Sequence, residues 1–145
     1  MDKFTQLFQD ALADAQSLAV GQDSPYIEPV HLLMAMMDQT QSSIVPLLEK
    51  AKVNVQALRQ SCEKAIADAP TIVDATGEVH VSRDLGRLLN LCDKIAQGKG
   101  DQYISSELFL LAIFDAKGVV RAIINNIANV LSSKRLEGAS TITQQ

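Results

Sequence analysis

The sequence predicts an all-α fold, a compact bundle of about seven to eight helices made of two pseudo-symmetric helical repeats. Apolar residues recur at steps of three and four along most of the chain, which is the pattern of amphipathic helices. Aromatic residues make up only 4% of the chain and tryptophan is absent, so the core must be built from aliphatic side chains that favour helices. When the chain is shifted by 77 positions, residues 4–38 lie over residues 81–115 without a gap. The sequence therefore predicts one helical unit used twice.

Four helices are predicted in the first repeat. Gly21 ends the first helix as a C-cap, and Pro29 opens the second, because proline is tolerated in a first helical turn. Ser42 or Ser43 caps the third helix and Asn54 caps the fourth, since their side-chain oxygens accept hydrogen bonds from free backbone N–H groups. In order, these helices are predicted over residues 2–20, 29–39, 42–50 and 54–69.

A loop rich in Pro, Gly, Asp and Thr connects the two repeats. In the second repeat Ser82 caps the fifth helix, Gly98 ends it, and Ser105 or Ser106 opens the sixth. These helices and a seventh are predicted over residues 82–97, 105–116 and 118–128. One domain is expected, with repeat one at residues 1–69, the linker loop at 70–81, repeat two at 82–131 and an atypical tail at 132–145.

Composition and motifs exclude several classes of function. The net charge is −4 and the pI about 5.1, so the basic field that nucleic acid binding needs is missing. No apolar run approaches the roughly 20 residues of a membrane span, and residues 1–9 do not resemble a signal peptide. Motifs for phosphate cradling and for a nucleophilic serine are also absent. We therefore expect a cytoplasmic protein that is not an enzyme, with no cofactor, no nucleic acid partner and no membrane partner.

The cysteines and histidines do not indicate a metal site. Cys62 and Cys92 lie inside helical patterns and are expected to be buried, reduced thiols. His31 and His80 are far apart in the sequence, and neither has a ligand-like neighbour three or four residues away. No metal is therefore expected.

Positions that are apolar in only one copy of the repeat are candidates for a binding surface, because shared apolar positions are most simply shared core. Leu91 lies over Asp14, and Leu108 lies over His31. Leu91 projects roughly 120° away from the apolar stripe of its helix, at about 100° per residue. From spacing alone two interpretations stay open: an exposed apolar patch that contacts a partner, or leucines that other helices cover. The identical pairs are Leu12 with Leu89, Ala19 with Ala96, Gly21 with Gly98, Tyr26 with Tyr103, Ile27 with Ile104, Leu33 with Leu110, Ala35 with Ala112 and Asp38 with Asp115.

Three polar residues near these leucines could surround such a patch. Asp101 ends the loop between the fifth and sixth helices, and Glu107 lies in the first turn of the sixth. Structural roles are open to both, as a solvated loop charge and as a carboxylate that stabilises the helix dipole. The Thr5 hydroxyl could equally bind the backbone of its own first helical turn.

Residues 11–37 and 82–112 closely resemble the N-terminal domain of ClpB-type disaggregases, which are ring-forming AAA+ ATPases that thread aggregated proteins. The resemblance covers about residues 4–114, and the double repeat is itself a mark of that family. It implies a mobile appendage that binds exposed hydrophobic stretches of unfolded or aggregated polypeptides. The residues that match the family's binding surface are Thr5, Asp101 and Glu107, with Leu91 and Leu108 as apolar contacts.

The same resemblance implies how the domain is assembled and what else it could bind. The parent protein is expected to be hexameric, and the isolated domain monomeric. Co-chaperone or adaptor proteins are further expected partners. The alternative function is an adaptor-docking domain of a proteolytic Clp unfoldase, which would bind a folded partner. No nucleotide site is expected, because the ATPase modules of the family are absent from this chain.

Residues 114–145 resemble a different family, the peptidoglycan glycosyltransferase domain of bifunctional penicillin-binding proteins. The resemblance rests on the motif Gly-Ala-Ser-Thr-Ile-Thr-Gln-Gln at residues 138–145. It implies a chimeric or mis-joined chain. Glycosyl transfer is not expected, because Ile104 stands where that family's catalytic glutamate would fall.

Overall fold

The computed structural model describes residues 3–72, 78–116, 118 and 121–122. Within these residues it contains six helices and two short strands: α1 Gln6–Gly21, β1 Tyr26–Ile27, α2 Pro29–Asp38, α3 Ile44–Lys50, α4 Val55–Asp68, β2 His80–Val81, α5 Arg83–Lys99 and α6 Ser106–Asp115. The predicted all-α class is therefore confirmed. The Ala122 N–H donates to the Gly118 carbonyl at 2.9 Å, as at the start of the predicted seventh helix. The remainder of that helix and the tail 132–145 lie outside the described residues.

The starts of α2, α4 and α5 follow the prediction, and α1 has a cap that was not predicted. The hydroxyls of Thr5 and Ser82, which are equivalent in the two repeats, accept hydrogen bonds from the backbone N–H three residues later, at 3.2 Å and 3.1 Å. Asn54 caps α4 in the same way at 3.0 Å, and Pro29 is the first residue of α2. The three caps fix helix starts because they satisfy N–H groups that have no partner inside the helix.

Several boundaries differ from the prediction. Gly21 is the last residue of α1 rather than its cap, which is Gln22, and α3 begins at Ile44 after Ser43, whose side chain makes no capping hydrogen bond. The first helix begins at Gln6 rather than residue 2, because the cap Thr5 has an extended backbone. Gly98 does not end α5, which continues to Lys99, and Gly100 caps it with φ 75°. That left-handed conformation is accessible to glycine without the steric penalty of a side chain. The end of the linker loop also forms a strand, β2.

The backbone pairing between the repeats has pseudo-two-fold symmetry. Strands β1 and β2 pair in parallel, with Ile27 opposite Val81. An isolated parallel bridge joins Phe4 to Ile104. A shift of 77 positions converts Ile27 to Ile104 and Phe4 to Val81, so the two pairings are equivalent. Each repeat therefore pairs its loop with the residue just before the first helix of the other repeat.

The same symmetry holds for the hydrogen bonds next to these pairs. The Ser82 N–H donates to the Ile27 carbonyl at 3.0 Å, and the Thr5 N–H donates to the Ile104 carbonyl at 3.1 Å. Because Thr5 and Ser82 are also helix caps, each pairing fixes where a first helix begins relative to the loop of the other repeat.

Side chains from both repeats form the core. Helix α1 packs against α2, and α5 packs against α6. Phe8 of α1 meets Phe109 of α6 edge to face, with ring centroids 6.0 Å apart, which is a favourable aromatic geometry. The largest fully buried apolar side chains are Phe8, Phe109, Leu32, Leu33, Met36, Ile44, Leu48, Leu58, Leu85, Ile113 and Cys62.

Both cysteines are buried and free, which confirms the expected burial. Burial raises the pKa of Cys62 to about 11 and that of Cys92 to about 12. Both groups are therefore neutral thiols near pH 7, and only the thiolate is a good nucleophile or metal ligand.

Candidate functional site

The loop between α5 and α6 lies beside the start of α1. The Thr5 N–H donates to the Ile104 carbonyl at 3.1 Å, and the Ile104 N–H donates to the Lys3 carbonyl at 2.6 Å. This pairing brings Thr5 next to the segment that begins with Asp101 and ends with Glu107. Three of the five predicted site residues therefore belong to one region of the surface, which we call the repeat-two surface.

Two carboxylates of the repeat-two surface face solvent. Asp101 is held through its backbone, whose N–H donates to the Ala96 carbonyl at 2.8 Å, and its side chain is exposed. Glu107 is exposed in the first turn of α6, where the helix dipole favours a negative charge. Neither carboxylate has a salt-bridge partner within residues 3–72 and 78–116. Both are therefore available to a cationic ligand group.

The Thr5 side chain already has a structural partner. Its hydroxyl oxygen accepts the Phe8 N–H at 3.2 Å as the cap of α1, and the residue is half-buried. The backbone role considered for this threonine is thus present in the structure. A ligand could still use the hydroxyl hydrogen, because capping occupies only the oxygen as an acceptor.

The two predicted leucines lie at different depths. Leu91 is half-buried on α5 and packs against the core. Leu108 is only 3% exposed, so its burial agrees with the second interpretation, in which other helices cover this leucine. Its neighbours Phe109 and Leu110 are also buried, because the start of α6 lies in the core. The exposed apolar residue of this helix is Leu111, at 45%.

Tyr103 is the most exposed large apolar residue that the structure describes, at 57%, and the sequence argument did not select it. Its repeat equivalent, Tyr26, is 48% exposed, while the adjacent isoleucines, Ile27 and Ile104, are buried. Successive side chains of an extended segment point to opposite sides, so each loop turns its tyrosine outward and its isoleucine inward. The sequence signal for this exposure is that tyrosine is present at the equivalent position of both repeats. It was missed because identical residues were assumed to belong to a shared core.

A surface ion pair connects this region to α5. The Lys3 Nζ lies 3.3 Å from an Asp93 carboxylate oxygen, and the two side chains are 63% and 35% exposed. Exposed pairs of this kind contribute at most about 1 kcal/mol. The pair therefore adds little stability, and it leaves the repeat-two surface without a strong positive field.

The site has the features of a binding surface for a partner. No group of three or more metal-ligating side chains is found in the part of the chain that the structure describes. Among the same residues, no helix is both long enough and apolar enough to cross a membrane. What the repeat-two surface offers a ligand is the exposed Tyr103 ring and the carboxylates of Asp101 and Glu107.

Comparison with known proteins relates the chain to one family over most of its length. Residues 3–127 match the family model of the Clp repeat (R) N-terminal domain. The chaperone protein ClpB of Dichelobacter nodosus is 46% identical over 140 residues, and that of Pseudomonas putida is 47% identical over 139 residues. These alignments cover 97% and 96% of the chain. The chain spans 16% of the length of each of these relatives.

Solved structures share the fold. The Hsp104 N-terminal domain from Candida albicans has a TM-score of 0.77 at 22% identity, covering 87% of this chain and 82% of that one. The N-terminal domain (1–163) of the ClpV1 ATPase from E. coli has a TM-score of 0.72 at 22% identity, covering 79% and 69%. At these identities the similarity concerns the fold alone.

The resemblance of residues 114–145 to a peptidoglycan glycosyltransferase domain is not supported. The family model continues to residue 127, and the alignment with the Dichelobacter protein covers 97% of the chain. Most of this segment therefore aligns with the same relatives as the residues before it. The motif at residues 138–145 lies outside the described residues.

Proposed function

Because the chain belongs to the family of Clp repeat N-terminal domains, we propose that it is the substrate-recognition module of a ClpB-type disaggregating chaperone. It binds exposed hydrophobic segments of unfolded or aggregated polypeptides and catalyses no reaction itself. ATP hydrolysis belongs to other modules of the parent protein, a cytoplasmic hexamer, and the isolated domain is a monomer. The observation that carries the proposal is the repeat-two surface. There Tyr103, which is 57% exposed, lies between the exposed residues Asp101 and Glu107 in the chain.

The size of this apolar surface suits weak and promiscuous binding. Burying one large apolar side chain contributes about 1.5–3 kcal/mol. Contacts with Tyr103 and Leu91 would therefore give dissociation constants on the order of tens of micromolar to several millimolar. Such weak binding is what the proposal requires, because a module that passes on many different chains must also release them.

The five residues named from the sequence take different parts in this proposal. Leu91 contributes an apolar contact, and Asp101 and Glu107 contribute carboxylates that attract basic side chains next to a hydrophobic segment. Thr5 offers its hydroxyl hydrogen at the edge of the surface. Leu108 acts from the core, where it supports the start of α6.

The proposal can be tested by nuclear magnetic resonance. The amide spectrum of the full chain would be recorded while an unfolded model polypeptide, reduced and alkylated casein, is added. We expect shift changes centred on Thr5, Leu91, Tyr103 and Glu107. The double variant Leu91→Asp/Tyr103→Ser should weaken binding by about a hundredfold or more, since it removes both apolar contacts.

Val20→Asp is the matched control for this experiment. Val20 is 37% exposed, and it lies about 22 Å along α1 from Thr5 at about 1.5 Å per residue. The control should bind casein as the wild type does. Equal weakening by Val20→Asp would contradict the proposed surface. A dispersed spectrum that casein does not change would instead favour the adaptor-docking function.

A further inference from the structure

The loop of repeat one has the same backbone arrangement as the loop of the repeat-two surface. Tyr26 is equivalent to Tyr103, and both rings are about half exposed, at 48% and 57%. Val81, which pairs with Ile27 in the small sheet, is 45% exposed. Each strand of this small sheet thus exposes one large apolar side chain. Exposed apolar groups can indicate a contact surface.

A groove of about 370 Å³ lies at this place. Its lining residues are Tyr26, Glu28, Ser82, Arg83 and Asp84. The parallel pairing of β1 with β2 explains the groove, because it sets the beginnings of α2 and α5 side by side. Glu28 directly follows β1, and Arg83 and Asp84 come two and three residues after β2.

The charges of this groove are missing from the equivalent pairing of Phe4 with Ile104. There the positions of Glu28, Arg83 and Asp84 are occupied by Ser105, Gln6 and Leu7. Among the described residues none of the three charged side chains makes a salt bridge. Glu28 takes part in the capping box of α2 with His31, but this cap does not neutralise its carboxylate. Two carboxylates and one guanidinium therefore leave the groove with a net charge of −1, which attracts a cation.

We infer that the groove lined by Tyr26, Glu28, Arg83 and Asp84 is a second polypeptide-binding surface, which takes a lysine or arginine side chain with an apolar neighbour. Glu28 and Asp84 attract the cation, and the exposed face of the Tyr26 ring can stack with it. Tyr26, the exposed apolar residue of the lining, also contacts the apolar neighbour. Arg83 opposes the cation and keeps the binding weak. The inference rests on the proposed function, since the ligand is again an unfolded polypeptide.

Opposite charge changes in the groove test this inference. The probes are two fluorescent 12-residue peptides of leucine, serine and two lysines, the lysines being replaced by glutamates in the second. Fluorescence anisotropy would be measured with the full chain carrying Leu91→Asp/Tyr103→Ser, so that only the groove contributes. Glu28→Gln should weaken binding of the lysine peptide about two- to fivefold, and Arg83→Gln should strengthen it by a similar factor. Both effects should shrink at high salt.

Glu49→Gln and Lys50→Gln are matched controls, because both residues are exposed on α3. They should leave the affinity for the lysine peptide unchanged, and thermal unfolding would show that every variant is folded. The inference is overturned if Glu28→Gln and Arg83→Gln change affinity in the same direction, or if the glutamate peptide binds as well as the lysine peptide.

The inference and the proposed function fail in different ways. If casein binding is lost in Leu91→Asp/Tyr103→Ser and the lysine peptide does not bind that variant, the second surface is rejected and the proposed function stands. If neither casein nor the lysine peptide binds the wild-type chain, both are rejected. If the lysine peptide binds the double variant and responds to the two charge changes as stated, the second surface is supported.

Discussion

The two repeats pair with each other in the same way. Ile27 of repeat one pairs with Val81, two residues before α5, and Ile104 of repeat two pairs with Phe4, two residues before α1. Burial is shared at some equivalent positions and not at others. His31 and Leu108 are 1% and 3% exposed, although one is polar and the other apolar, whereas Met34 and its equivalent Leu111 are 8% and 45% exposed. The comparison teaches that the shared backbone keeps the start of the second helix buried at the position of His31 and Leu108, while the chemical type there is free to diverge.

The largest expected effect concerns the buried leucine of this pair. Leu108→Asp should lower the free energy of unfolding by about 4 kcal/mol or more, because it places a carboxylate in the core without a partner. Leu91→Asp should cost about 1–2 kcal/mol and leave the domain folded, since Leu91 is only half-buried. Urea denaturation followed by circular dichroism would measure both.

If Leu108→Asp and Leu91→Asp unfolded at comparable urea concentrations, the burial of Leu108 in the core would be contradicted. Leu108→Ala provides a second measurement if Leu108→Asp does not fold at all, and it should cost about 2–5 kcal/mol.

The next effect is the pH dependence that His31 gives to repeat one alone. The Glu28 N–H donates to the Nδ1 atom of His31 at 2.8 Å, so the neutral His31 ring carries its proton on Nε2. Burial lowers the pKa of His31 below its usual value of 6.5. The unfolded chain therefore binds a proton below pH 6.5 while the folded chain does not. Stability should fall as the pH decreases from 6.5 toward the lowered pKa, by up to about 1.4 kcal/mol per pH unit.

His31→Leu, which copies the residue of repeat two, should remove this loss. Urea midpoints at pH 7.5 and pH 5.0 would be compared for the wild type and the variant, with exposed His80→Gln as the control. If His31→Leu lost as much stability on acidification as the wild type, carboxylates rather than His31 would be responsible for the pH dependence.

The smallest effect lies at the ends of the two long helices. Asp23 and Gly100 are equivalent in the repeats, and both have positive φ, at 52° and 75°. Gly100→Ala should destabilise by about 1 kcal/mol through the backbone alone, because an added Cβ would meet no atom within 4 Å. Asp23→Gly should stabilise by a few tenths of a kcal/mol, since the greater freedom of glycine in the unfolded chain offsets part of the relief.

Calorimetric melting temperatures would measure this last pair. Opposite signs are expected, and equal signs would show that the two helix ends are not conformationally equivalent.

Local features of the fold could be read from the sequence. The caps Asn54 and Ser82 and the opening Pro29 work through bonds to residues within one helical turn, so the sequence alone locates them. The end of α5 was misplaced because Gly98 and Gly100 are both able to end a helix. Which of them does so depends on where the Asp101 N–H finds its acceptor, the Ala96 carbonyl.

Parts of the candidate site could not be read in this way. The sequence left open whether Leu108 is exposed or covered, because α6 is apolar on all sides and periodicity gives no direction to such a helix. Tyr103 was overlooked because identity between the repeats was assigned to the core. Its exposure follows from the pairing of Ile104 with Phe4, a contact between residues 100 positions apart in the chain.

The sequence by itself determined the helical class, the 77-residue repeat and the capped starts of the helices, because these depend on composition and on neighbours within a few positions. Only the tertiary structure decided which side chains face solvent. Burial depends on which helix packs against which, and the pairings that fix this arrangement, Ile27 with Val81 and Phe4 with Ile104, join segments far apart in the chain.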